Sequence, residues 1–174
     1  MNKDTNQLVT GAVILIGDEI LSGTTSDTNA NFLAKELIFL GIDLEEVRII
    51  ADDSAAIIAA VNELRHAYTY VFTTGGIGPT HDDITTSAIA QAFGLELVLN
   101  TQAVKLIEQI TRKPLNDPQL KMAYLPQEAS LIYNSISGAP GWQLENVYVL
   151  AGVPAIMQDM FAALKPSLTR GSVY

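Results

Sequence analysis

The sequence predicts an α/β domain built on a mainly parallel sheet with helices on both faces, and three observations support this fold class. Strand-like and helix-like segments alternate three times within about 85 residues. The first strand-like segment, AVILI at 12–16, is continuously apolar, as in a parallel strand that is buried on both faces. The chain of 174 residues is 48% hydrophobic and 17% charged, which is enough for a sizeable core.

The three strand–helix units follow from apolar periodicity and from helix-ending residues such as Gly41 and Gly94. In chain order, the predicted strands are 12–16, 44–50 and 70–74, and the predicted helices are 28–40, one starting near Ser54, and 83–93. We expect Leu15, Ile49 and Val71 to be buried on neighbouring strands of the sheet.

The alternation continues through ELVLN at 96–100 and a helix at 102–111. The C-terminal third contains the strand-like segments SLIYN and NVYVLAG, followed by a closing helix at 154–168. No repeat or linker interrupts the chain, so we expect a single domain over residues 8–170, preceded by a flexible tail at residues 1–7.

Composition argues against several classes of function. The net charge is −9, from 10 basic and 19 acidic residues, and no basic cluster is available to bind nucleic acid. With no cysteine, the chain has neither disulfides nor a thiolate site. No apolar run approaches the roughly 18 residues of a membrane span, so we expect a cytoplasmic protein without a membrane partner.

The stretch TTGGIGPTHDD, Thr73–Asp83, follows the third strand and is the most informative motif. Ligands of open α/β sheets lie beyond the carboxyl ends of the strands. Gly75, Gly76 and Gly78 allow close backbone approach, so that N–H groups can point at a phosphate. The adjacent carboxylates of Asp82 and Asp83 can hold a Mg²⁺-like ion. The motif therefore predicts a site for a metal-bound phosphate.

A second interpretation of the same residues is structural. Thr80 and Asp83 have the spacing of a capping box, with Thr80 as the N-cap of the following helix and Asp83 at its third position. The carboxylates would then stabilise the helix N-terminus alone. Spacing does not decide between a cap and a ligand site.

Two further acidic loops follow the first and second predicted strands. GDEILSG, at 17–23, contains Asp18, Ser22 and Gly23, which we take as candidate ligand-binding residues. Asp52 follows the second strand. Because the carboxyl ends of parallel strands meet at one edge of a sheet, we expect these loops and the glycine motif to lie close together.

Four motifs, in order along residues 10–168, resemble the MoaB/Mog-like molybdopterin-binding domain family, especially the N-terminal domain of CinA and the corresponding domain of eukaryotic FAD synthases. They are GDEILSGTTSDTN, TTGGIGPTHDD, NSISGAPGW and VYVLAGVPAIMQDM. The resemblance implies a three-layer α/β/α sandwich and a homo-oligomer, either a trimer or a dimer. It also implies that Asp83 and Asp52 are catalytic, that Asp52, Asp82 and Asp83 hold a metal, and that Gly75, Gly76, Gly78, Thr80 and Gly152 bind the ligand.

The resemblance favours a stand-alone domain that binds a phosphorylated nucleotide or pterin and hydrolyses a nucleotide pyrophosphate such as ADP-ribose or FAD. Mg²⁺, Mn²⁺ or Co²⁺ is the expected cofactor, and molybdopterin is a second candidate ligand. The alternatives are a molybdenum cofactor biosynthesis protein that binds or adenylylates molybdopterin, and a non-catalytic binding module.

Overall fold

The computed structural model describes residues 8–171, so the tail expected at residues 1–7 lies outside it. One six-stranded sheet forms the centre of the fold. Its strands are β1 (Thr10–Ile16), β2 (Asp43–Ile50), β3 (Tyr70–Thr74), β6 (Ser130–Ile132), β7 (Gly141–Leu144) and β8 (Val147–Leu150). Their order across the sheet is β2-β1-β3-β8-β7-β6. β2, β1, β3 and β8 are parallel to one another, whereas β7 is antiparallel to both of its neighbours. The prediction of a mainly parallel sheet is confirmed.

Helices cover both faces of this sheet, as expected for a three-layer sandwich. The helices are α1 (Asp18–Leu21), α2 (Asn29–Phe39), α3 (Ser54–Ala67), α4 (Thr85–Ala92), α5 (Thr101–Thr111), α6 (Asp117–Lys121) and α7 (Pro154–Leu164), the last followed by a 3-10 turn at Lys165–Ser167. Residues of α3, α4 and α5 pack on one face of the sheet, and residues of α2 and α7 pack on the other.

The apolar run of β1 is explained by its position inside the sheet. Ile14 and Ile16 point into the core beneath α3 and α4, whereas Val13 and Leu15 point into the core beneath α2 and α7. All four side chains are at most 1% exposed. A strand that is buried on both faces needs apolar residues at every position, not at alternate ones.

The expectation for Ile49 is wrong, although Leu15 and Val71 are buried as predicted. Ile49 lies beside Leu15 in the neighbouring strand β2 but is 46% exposed. β2 is the edge strand of the sheet, and its odd-numbered positions are exposed along its whole length. Four of the eight residues of β2 are charged, so the sequence of this edge strand already differs from that of β1, which has no charged residue.

Three other predicted elements differ from the structure. β4 (Leu97–Leu99) does not extend the main sheet, because it pairs with β5 (Tyr124–Pro126) in a separate antiparallel ribbon. α4 begins at Thr85, two residues later than predicted, and α7 ends at Leu164. None of the described helices is long and apolar enough to cross a membrane.

Candidate functional site

The parallel strands β1, β2, β3 and β8 bring the loops that follow them to one edge of the sheet. Two of these loops are joined by a reciprocal pair of hydrogen bonds. The backbone N–H of Asp18 donates to Oδ2 of Asp52, and the backbone N–H of Asp52 donates to Oδ1 of Asp18, both at 3.1 Å. The sequence-predicted proximity of the first two acidic loops is therefore present in the structure.

Gly75 lies where the chain crosses between the ends of β1 and β8. Its φ is 100°, and a Cβ at this position would lie 2.2 Å from the carbonyl oxygen of Ile16. Its N–H donates to the carbonyl of Leu150 at 3.2 Å. The residue must be glycine because of this crossing, and its amide is already used within the fold.

The next two glycines of the motif, Gly76 and Gly78, differ from Gly75 in the use of their backbone N–H groups. Gly76 has a φ of 73° and lies so close to Thr85 that a Cβ would be 2.0 Å from the Thr85 Oγ1. A Cβ at Gly78 would be 2.8 Å from Oδ2 of Asp83. Neither Gly76 nor Gly78 donates a backbone hydrogen bond to any residue between 8 and 171. Of the three predicted phosphate-binding glycines, these two have available N–H groups.

The helix-capping interpretation of Thr80 and Asp83 is wrong. Ile84 is the N-cap of α4, so both residues precede the helix. Instead, Oδ2 of Asp83 accepts hydrogen bonds from the Thr80 N–H at 2.9 Å and from the Thr80 hydroxyl at 2.7 Å. These bonds close a turn and hold the carboxylate in place. No described residue donates to the other oxygen, Oδ1.

An acidic cavity of about 490 Å³ lies at this edge of the sheet, beside Gly76 and His81. Its carboxylates are Asp18, Glu19, Asp52, Asp82 and Asp83. Asp82 is highly exposed, and its Oδ1 lies 3.1 Å from Nε2 of His81. The cavity therefore combines the acidic residues of all three predicted loops.

The electrostatics of this cavity act on Asp52. Burial raises the pKa of the Asp52 carboxyl above its ordinary value, and the hydrogen bond from the Asp18 N–H opposes this rise. The negative charges of Asp18, Glu19 and Asp83 raise the Asp52 pKa further. The carboxylates thus lie close enough to repel one another, and a bound cation would relieve that repulsion.

The donor set suits a cation that arrives with its ligand. Among residues 8–171, no group of three or more His, Cys, Asp or Glu side chains is arranged to hold a metal ion. The predicted ligands Asp52, Asp82 and Asp83 line one cavity but do not converge on a single point. Mg²⁺ is commonly held by one or two carboxylates together with substrate phosphates and water, and these residues fit that arrangement.

A larger and mostly apolar cavity of about 600 Å³ lies against residues 75–78, which we call the glycine loop. Gly75, Gly76 and Gly78 line it together with Gly152 and Val153 from the loop after β8. Glu19, Gly76 and Asp83 border both this cavity and the acidic one. An apolar space and an acidic space therefore adjoin at these residues.

Asn29 joins this site from the start of α2 and was not predicted from the sequence. Its amide Nδ2 donates to the carbonyl of Gly152 at 2.9 Å. Its Oδ1 is buried, lies beside a small cavity shared with Gly75 and Gly152, and has no hydrogen-bond partner among the described residues. Buried oxygens normally have a partner, so this one indicates a place for a donor from water or a ligand.

Ser22 and Gly23 do not join the site. The Ser22 hydroxyl bonds to the carbonyl of Glu19 at 3.3 Å, and a Cβ added at Gly23 would meet no atom within 4 Å. Neither residue lines the acidic cavity, the apolar cavity or the small cavity beside Asn29. Glu19, in the same loop, lines all three. Its position directly after Asp18, in the same acidic loop, is the sequence signal that could have identified Glu19 as a site residue.

Lys121 was also missed, because nothing in the local sequence links it to the glycine motif. Its ammonium, at the end of α6, donates to the backbone carbonyls of Thr80 and Asp83, the second at 2.8 Å. Lys121 therefore ties α6 to the turn that carries Asp83.

Comparison with known proteins agrees with this geometry. The family model described as "Probable molybdopterin binding domain" matches residues 12–170. A protein of Archaeoglobus fulgidus is 32% identical, covering 93% of this chain and 70% of its own length. A "Probable FAD synthase" of Caenorhabditis elegans is 34% identical over 93% of this chain but is covered over only 36% of its length.

Among solved structures, the protein CinA of unknown function from Thermoplasma acidophilum superposes with a TM-score of 0.87 at 30% identity. The match covers 92% of this chain and 98% of that one. Together with the family match over nearly the whole chain, this similarity shows that the chain belongs to the molybdopterin-binding domain family and resembles its CinA-like and FAD-synthase-associated members.

Proposed function

We propose that this chain binds a phosphorylated nucleotide through the glycine loop and a divalent cation, and hydrolyses its pyrophosphate bond. ADP-ribose and FAD represent the substrate class. The observation that carries the proposal is the position of Asp83, which borders both the acidic cavity and the apolar one. The apolar space suits an organic group, and the acidic space suits the phosphates that a cation brings with it.

Charge explains why a cation belongs to this proposal. Five carboxylates line the acidic cavity, and the chain has a net charge of −9. An anionic phosphate would be repelled there without a cation to neutralise it. One or two of the carboxylates of Asp52, Asp82 and Asp83 would hold the ion together with water and phosphate, and the N–H groups of Gly76 and Gly78 would bind phosphate oxygens. When bound, a divalent cation offsets the negative charge that develops on the phosphoryl group.

The reaction adds the oxygen of water to one phosphorus atom and breaks the bridging P–O bond. The products are two phosphate monoesters, one for each organic group, and protons are released to solvent. The turn closed by Thr80 holds Asp83 beside the glycine loop before the ligand binds. Such preorganisation is the part of catalysis that this chain's own residues supply.

A pterin phosphate is the second candidate ligand, supported by the description of the family to which the chain belongs. It would use the same glycine loop and the same apolar cavity, without requiring hydrolysis. An enzyme assay separates the two candidates, because a binding protein would leave a pyrophosphate intact.

The test is a screen of ADP-ribose, FAD and other nucleotide pyrophosphates with Mg²⁺, Mn²⁺ or Co²⁺, in which products are separated by chromatography. We expect metal-dependent formation of two monophosphates from at least one substrate. A matched reaction with EDTA should yield none.

The purified Asp83→Asn variant serves as the control for a contaminating hydrolase. Equal turnover by this variant and the wild type would contradict the proposal, as would the absence of cleavage for every substrate and metal.

A further inference from the structure

A further cavity, of about 460 Å³, borders Asp83 and contains no residue of the glycine loop. We call it the Tyr124 groove. Its walls come from α4, β4, α6 and β5, and are formed by Thr86, Ser87, Leu97, Asp117, Leu120 and Tyr124. None of these residues belongs to the four sequence motifs. The size of the groove is within the range of small-molecule sites.

The groove adjoins the proposed reaction site at Asp83. Asp83 borders the groove, the acidic cavity and the apolar cavity. Lys121, which also lines the groove, bonds through its ammonium to the carbonyls of Thr80 and Asp83. A ligand with phosphates beside Asp83 can therefore extend an organic group to either side of this residue.

The groove offers an aromatic surface to such a group. Tyr124 is 44% exposed, and the apolar side chains of Leu97 and Leu120 line the same space. Aromatic side chains bind nucleobases by stacking, whatever the identity of the base. The exposed ring of Tyr124 is therefore available for a planar heterocycle.

The polar groups of the groove suit a neutral ring better than a phosphate. Thr86 Oγ1 accepts a hydrogen bond from the Trp142 indole at 3.2 Å, so its own proton can be donated. The Ser87 hydroxyl donates to the carbonyl of Ile84 at 2.9 Å, so its oxygen can accept. Asp117 can accept N–H or O–H groups, and the ammonium of Lys121, the one cationic group among residues 8–171 that lines the groove, already bonds to the carbonyls of Thr80 and Asp83.

We infer that the Tyr124 groove binds the heteroaromatic base of the nucleotide, stacked on Tyr124, while the glycine loop and acidic cavity bind its phosphates. This inference rests on the proposed function and narrows its substrate class. The substrate has two organic groups joined by a pyrophosphate, one of them an aromatic base in the groove. The second group occupies the apolar cavity beside Gly152.

Equilibrium binding tests this assignment without requiring hydrolysis. The probes are AMP and ribose 5-phosphate, titrated by calorimetry with Mg²⁺ present. For the wild type, we expect AMP to bind at least about tenfold more tightly, because only AMP carries a base to stack. Tyr124→Leu should weaken AMP binding about tenfold and leave ribose 5-phosphate unchanged. Tyr124→Phe keeps the ring and should behave as the wild type.

Val153→Ala is the comparison variant, because Val153 is 57% exposed and lines the apolar cavity, where the base would bind if it did not bind in the groove. It should leave the preference for AMP intact. If Val153→Ala removes the preference and Tyr124→Leu keeps it, the base binds in the apolar cavity and the inference is wrong.

The inference and the proposed function can fail separately. Equal wild-type affinities for the two probes, or no AMP binding at millimolar concentration, would overturn the groove assignment even if a pyrophosphate is hydrolysed. A Tyr124-dependent preference for AMP would support the groove assignment even if no pyrophosphate is cleaved.

Discussion

The loop after β3 and the loop after β1 leave the sheet at the same edge, and both contain carboxylates and a glycine with positive φ. Their glycines nevertheless have opposite surroundings. A Cβ at Gly75 would overlap the carbonyl of Ile16, whereas a Cβ at Gly23 would meet nothing within 4 Å. One glycine permits a close crossing of two chain segments, and the other ends a short helix in solvent.

This difference shows which part of each loop belongs to the site. Every residue of the β3 loop from Gly75 to Asp83 except Thr80 lines a cavity, whereas the β1 loop contributes residues 18–20, leaves the cavities at residues 21–24 and returns to them at Thr25. Asp18 is held at the site through its hydrogen bonds with Asp52. Ser22 and Gly23 lie beyond that contact.

The largest expected difference is in the rate of metal-dependent hydrolysis, between the variants Asp83→Asn and Ser22→Ala. Removing the Asp83 charge should lower metal-dependent hydrolysis about a hundredfold to a thousandfold, because the carboxylate acts where charge develops in the reaction. Ser22→Ala should leave the rate unchanged. Steady-state kinetics on the substrate found in the screen measures both effects.

Unfolding measurements on the same two variants separate a catalytic loss from a folding defect. Asp83→Asn should stay folded, because an asparagine oxygen can still accept the hydrogen bonds from Thr80. If this variant keeps wild-type activity and only melts earlier, Asp83 has a structural role alone.

The second contrast compares the two glycines by chemical denaturation. Gly75→Ala should lower the free energy of unfolding by at least about 3 kcal/mol, since it adds both a backbone strain and an overlap with the Ile16 carbonyl. Gly23→Ala should lower it by only about 1 kcal/mol, the cost of the left-handed conformation itself. Similar losses for both variants would mean that the close crossing at Gly75 relaxes easily.

A smaller effect, an increase in stability, is expected at Asp52, where the loop after β2 contacts the loop after β1. Asp52→Asn should raise the free energy of unfolding by up to about 0.5 kcal/mol, because it removes a charge repelled by Asp18, Glu19 and Asp83. The new amide oxygen can still accept the Asp18 N–H. Thermal melts at neutral pH would show this gain, and a lower melting temperature would contradict it.

The smallest effect is the pH dependence of that gain. The folded pKa of Asp52 is raised above its ordinary value of 3.8, so folding binds its proton more tightly and rising pH destabilises the wild type. The advantage of Asp52→Asn should be absent below about pH 3.8 and complete above the folded pKa of Asp52.

The pH dependence of stability that we expect from Asp159 has the opposite sign to that of Asp52. Hydrogen bonds from the Ser135 N–H and hydroxyl lower the pKa of Asp159. Its stabilising effect is present above its unfolded pKa and is lost as the pH falls through the lower folded value. Asp159→Asn should therefore be less stable than the wild type at neutral pH, with the difference shrinking in acid.

The parts of the site that the sequence could predict are those set by local pattern. The apolar run of β1 predicted a central strand, and the acids after β1, β2 and β3 meet as expected because parallel strands share a carboxyl end. The exposure of Ile49 was missed because the prediction followed the apolar residues of β2 and not its four charged ones, which β1 lacks. The homo-oligomer inferred from the family resemblance stays a prediction.

The remaining residues depend on contacts between distant segments. Lys121 bonds to the Asp83 carbonyl from a helix that lies 38 residues further along the chain, and Asn29 bonds to the Gly152 carbonyl across 123 residues. Neither contact leaves a periodic signal in the sequence. Whether Ser22 and Gly23 line the site likewise depends on the direction in which a short loop turns.

The crowding around Gly75 and Gly76 also limits how this protein can evolve or be redesigned. A library that randomises the glycine loop would consist mainly of unfolded variants, because neither position has room for a Cβ. New ligand preferences are more accessible through the exposed side chains on the outer walls, such as Val153 and Tyr124. Selection for a new substrate should therefore enrich changes at those walls and leave the loop unaltered.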